Sequence, residues 1–79
     1  MTKEAAYLVG IHRYFFQAGK PAEILGVHFY TPKGQEPRPC YLVLYADDRI
    51  DMVPLSDSAN YRIISETDVL AGRIPEVSE

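Results

Sequence analysis

From Thr2 to Gly19 the apolar residues recur with a helical period. At 100° per residue Ala5, Leu8, Val9, Ile11, His12, Phe15 and Phe16 share a broad arc, while Lys3, Gly10, Arg13 and Gln17 fall opposite. Thr2 can cap such a helix, and Gly19 followed by Lys20-Pro21 stops it. The pattern predicts a helix over 2–19. A strand over 7–16 competes with it, because Tyr7 to Phe16 is rich in β-formers and Gly10 weakens a helix by about 1 kcal/mol relative to Ala.

From residue 20 the period changes to two. Ala22 to Thr31 reads as a strand with Leu25, Val27 and Phe29 on one face and Ile24, His28 and Tyr30 on the other. Gly26 in its middle marks a bend or a close backbone crossing. Thr31 to Pro39 gathers three prolines and a glycine, which predicts the longest loop. Cys40 to Ala46 is apolar on both faces, as a central strand is; Asp47-Asp48 makes a turn, and Arg49 to Val53 returns as its hairpin partner. Pro54 ends that strand, Ser56 to Asn60 is a polar turn, and Tyr61 to Ser65 is a further short strand. Ser65 then caps a helical turn over 66–72 that Gly72 stops, and residues 75–79 are expected to fray.

These elements predict one α+β domain over 1–79: an N-terminal helix, a bent antiparallel sheet of four to five short strands over 20–65, and a short C-terminal helical turn. Short strands, a long Pro/Gly loop after the first, a tight hairpin, and a proline-containing turn before the last strand resemble the small SH3-like barrels over residues 20–65. The resemblance implies a fold and no activity. Proline-peptide-binding members use a tryptophan in an aromatic groove, and this chain has no Trp, so that ligand site transfers to no residue here. If residues 7–16 form a strand, the strand count becomes five and the barrel expectation strengthens.

With 79 residues the chain has room for one compact domain. Its 47% hydrophobic and 24% charged residues exclude disordered, collagen-like and coiled-coil classes. The net charge of −3 repels phosphate backbones, so nucleic acid is not an expected partner. Charge is unevenly spread: residues 1–39 carry five basic and three acidic side chains, residues 40–79 three basic and eight acidic. Opposed basic and acidic faces favour head-to-tail contacts, although ordinary solvated surface accounts for them equally well. The apolar runs fall far short of the roughly 20 residues that span a bilayer, and Thr2-Lys3-Glu4 does not open a signal peptide. A single cysteine, Cys40, excludes an intrachain disulfide and suits a reducing compartment, so a cytoplasmic protein is expected.

Candidate chemistry is sparse. His12, His28 and Tyr41 are candidates for a pocket between subunits, and His28 with Cys40 would form a nucleophilic pair only if the fold brings them together. A bonded structural histidine and a core-filling cysteine are the simpler accounts. Asp47, Asp48 and Asp51 lack the glycine and the later glutamate of a calcium loop and read as a hydrated hairpin tip, and the glycines are too widely spaced to cradle phosphate. Neither a metal nor a cofactor is expected.

The strongest signal is apolar excess. A chain this short buries only about 60–65% of its unfolded surface, yet it carries a half-apolar helix and two strands apolar on both faces. The expectation is a homo-oligomer, most simply a twofold dimer, associating through Leu8, Ile11, Phe15 and Phe16. A protein partner is expected on the surface of Tyr30, Pro32, Arg38 and Tyr45. Two functions fit: a self-associating interaction domain, or a small oligomeric enzyme or ligand-binding protein whose pocket lies between subunits.

Overall fold

The computed structural model describes residues 4–15 and 17–78. Five antiparallel strands, β1 (Ala6–Gly10), β2 (Ala22–Tyr30), β3 (Arg38–Leu44), β4 (Ile50–Pro54) and β5 (Tyr61–Ser65), form one sheet in the order β4-β3-β2-β1-β5. A 3₁₀ turn over Leu55–Asn60 precedes β5, and a five-residue helix, α1 (Glu66–Leu70), follows it. The sheet is open: β4 and β5 lie at its two ends and do not close a barrel. The expected α+β fold with an N-terminal helix and an SH3-like barrel is thereby corrected to a mostly β domain with only short helical pieces.

The helix expected over 2–19 is absent from its described part, because the first segment has better partners as a strand. β1 pairs with β5 along its whole length, from Ala6 opposite Ser65 to Gly10 opposite Tyr61, and with β2 at Tyr7–Glu23 and Leu8–Ala22. Gly10 is required there by packing: a Cβ at this position would run into the ring of Phe15. After Gly10 the chain leaves in a series of tight turns, with Gln17 and Gly19 at positive φ, and the Gly19 amide returns to the Gly10 carbonyl at 2.9 Å. Thr2, Lys3 and Phe16 lie outside the described residues.

Cross-strand partners share a face, so the register sorts the side chains. Leu8, Ala22, Val43, Tyr45, Val53 and Tyr61 form the core, with Phe15, Ile24 and Tyr41 packed against it. The Tyr61 ring meets Phe15 and Tyr41, each at 6.2 Å between centroids. Between Ile24 and Gly26 the pairing of β2 with β3 slips by one residue, leaving Leu25 as a bulge. This overturns the simple alternation: Val27 and Phe29 share the core-side face with Ile24, and only His28 and Tyr30 take the reverse face. Pro39, expected in the loop, lies in β3 opposite Phe29, at a level where no β4 residue stands beside it to need its missing N–H.

The β3–β4 hairpin turns at Asp47-Asp48 with Asp48 at φ +66°, and the Asp47 carboxylate holds the Arg49 guanidinium at 2.7 Å. Ser65 caps α1, its hydroxyl accepting from the Asp68 amide at 3.2 Å. Residues 75–78 are tied back where fraying was expected: the Ser78 amide donates to the Ile11 carbonyl at 2.6 Å and its carbonyl accepts from Arg13.

Candidate functional site

The feature that departs most from a packed domain is an arm made by the outer halves of β2 and β3. β2 has nine residues and its neighbour β1 has five, so β1 accompanies it only as far as Glu23. From Leu25 to Tyr30 β2 pairs on one side alone, with β3, and no described strand takes the other side. β4 ends at Pro54 opposite Cys40, so the Phe29–Pro39 and Tyr30–Arg38 rungs project as a two-stranded ribbon. The loop beyond it is ordered by Gly34 at φ +76°, a turn from Gln35 to Pro32 and an Arg38–Gln35 hydrogen bond of 2.7 Å. On this arm Leu25 is 46% exposed, Val27 51%, Tyr30 55% and Phe29 69%. Those are values of unpacked side chains.

The residues singled out from sequence are divided by this arrangement. Tyr30 and Arg38 face each other at the tip, and Pro32 is half-buried in the adjoining loop. Tyr45 is buried in the core, where desolvation raises its hydroxyl pKa, so it is removed from that surface. Leu8 is 1% exposed and cannot serve self-association; Ile11 is half-buried, and Phe15 lies against the core. The helical arc that would have presented them outward does not exist.

His28 and Cys40 are cross-strand partners, as a nucleophilic pair would require, but the thiol is buried and its hydrogen bond runs to the Arg38 carbonyl at 3.7 Å. Tyr41 pairs with Val27 and so points to the face opposite His28. His12 instead meets the Ser78 hydroxyl through Nδ1 at 3.1 Å and lines an open depression of about 410 Å³ with Tyr14, Phe15 and Asn60. His12, His28 and Tyr41 therefore form no common pocket within one copy. A second depression, about 460 Å³, is bordered by Tyr7, Glu23, Leu44 and Val69; burial, then Glu23 and Glu66, raise the Tyr7 hydroxyl pKa. Among the described residues no three His, Cys, Asp or Glu side chains are grouped to hold a metal ion. No helix among them is long and apolar enough to cross a membrane.

Sequence reasoning missed Leu25, Val27 and Phe29 as surface residues. It placed them on one of the two faces of a strand, since alternation records what a strand could bury and not whether a neighbour is present. Comparison with protein families, curated proteins and solved structures found no match.

Proposed function

We propose that this chain is a cytoplasmic self-associating interaction domain whose working surface is the β2–β3 arm. One observation carries the reading: among the described residues no strand pairs with the edge from Leu25 to Tyr30, six residues long, beside exposed Val27, Phe29 and Tyr30. Proteins normally protect such edges with charge, proline or a covering element. Here Leu25-Gly26-Val27-His28-Phe29-Tyr30 contains neither proline nor a carboxylate, lysine or arginine. An unprotected edge with apolar flanks is suited to accepting a further strand, where backbone hydrogen bonds supply affinity and side chains supply selectivity. Cys40 as the single, buried cysteine fits a reducing compartment.

Sedimentation equilibrium of the intact chain tests this reading. A concentration-dependent rise above 8.9 kDa is expected in the micromolar range. An 8.9 kDa particle at every concentration up to roughly a millimolar would remove it.

A further inference from the structure

Resting on that reading, we infer that the strand accepted by the arm is β2 of a second copy, paired antiparallel over Gly26–Tyr30 with the twofold axis passing through His28. Two features of the edge agree on this register.

The first is where regular pairing can occur. The bulge at Leu25 ends the regular part of the free edge on one side and the turn into the loop ends it on the other, leaving Gly26–Tyr30. A strand pairs antiparallel with its own copy about its midpoint, and the midpoint of five residues here is His28.

The second is shape. About His28 the register sets Val27 opposite Phe29 of the other copy on the core-side face, an aromatic against a β-branched residue. On the reverse face it sets Gly26 opposite Tyr30 of the other copy. Nothing lies within 4 Å of where a Cβ on Gly26 would sit, so the glycine leaves an opening beside the edge. An aromatic ring from a neighbouring strand can cover such an edge glycine. Moving the axis by one residue to Val27 would put His28 over Gly26 and leave Tyr30 opposite Ile24, on the far side of the bulge.

The area also suffices: Phe29 and Tyr30, with Leu25, Val27 and the backbone edge, offer on the order of 500 Å² per copy, at the lower end for a specific but reversible interface.

The test uses the full chain in three forms. His28→Cys should form an intermolecular disulfide under mild oxidation, because residues on the axis have Cα atoms about 4.5–5.5 Å apart, within disulfide range. Met52→Cys, exposed on β4 away from the edge, should not. His28→Lys, which places two ammonium groups face to face at an exposed site, should weaken the dimer by about 100-fold with an unchanged circular dichroism spectrum. A chain that still dimerises, but whose His28→Cys form fails to cross-link and whose His28→Lys form dimerises as tightly as the wild type, overturns this pairing and leaves self-association standing. A chain that never dimerises removes both.

Discussion

The root of the sheet and its arm are built from the same kinds of residue and end in opposite states. At the root, β1 lies between β5 and β2, and Leu8, Val9 and Ala22 are shut away from water. In the arm, five residues further along the same β2, Val27 and Phe29 face the same side as Ala22 and Ile24 but stand mostly in solvent. Hydropathy does not separate the two regions; the presence of packed neighbours does. Val53 and Tyr61 are buried although β4 and β5 end the sheet, so burial depends on side chains such as Phe15 packed over the core face as well as on flanking strands.

The sharpest way to break this contrast is to truncate one large side chain in each region. Leu8→Ala should lower unfolding free energy by about 3 kcal/mol in urea denaturation, through lost transfer energy and the cavity left behind. Phe29→Ala, measured at a dilution where the chain is monomeric, should change it by no more than about 0.5 kcal/mol. Equal losses at the two positions would mean that the arm is packed.

The glycines sharpen the contrast on a smaller scale. Gly10→Ala should cost about 1–3 kcal/mol, because the added methyl has to displace the Phe15 ring from the core edge. Gly26→Ala meets open space and should leave the monomer unchanged or up to about 1 kcal/mol more stable, by restricting the unfolded chain. Thermal unfolding of both variants at low concentration checks the pair; a stabilised Gly10→Ala would show that Phe15 does not lie over β1.

The smallest effect is one of pH and lies outside the arm. Two carboxyls at the junction of β1 and α1 are held below their ordinary values: Glu4 by hydrogen bonds from the Thr67 hydroxyl and amide, Asp68 chiefly by the Arg73 guanidinium. The folded state thus favours their ionised forms. Their contribution is fully present above the ordinary carboxylate range, about pH 4, and is lost as pH falls through the lowered values. Both groups are exposed, so the slope should be shallow. Urea midpoints at about pH 6 and pH 3 should converge in Glu4→Gln/Asp68→Asn relative to the wild type; an undiminished acid slope in that variant would assign the effect elsewhere.

Local chemistry made a large part of this fold legible. The hairpin across Asp47-Asp48, the end of β4 at Pro54, and the Ser65 cap of α1 depend on residues within a few positions of one another, and turn and cap preferences act at that range. The first segment was ambiguous because Tyr7-Leu8-Val9 satisfies both periods; pairing with Tyr61 to Ser65, more than fifty residues away, made it β1. The candidate site was less legible. Tyr30 and Arg38 were found at the arm, but Tyr45 and Leu8 were read as surface and are core, while the alternation that put Val27 and Phe29 on one face of β2 did not tell that they are exposed.

By itself, then, the sequence determined where the strands after β1, the turns and the cap occur and that the chain carries more apolar side chains than so small a domain readily encloses, because these follow from local backbone preference and from composition. Only the tertiary structure decided which of those side chains are left outside. The bulge at Leu25 sets the face that each residue of outer β2 takes, and the shortness of β1 sets where its cover stops; both are consequences of pairing between distant segments.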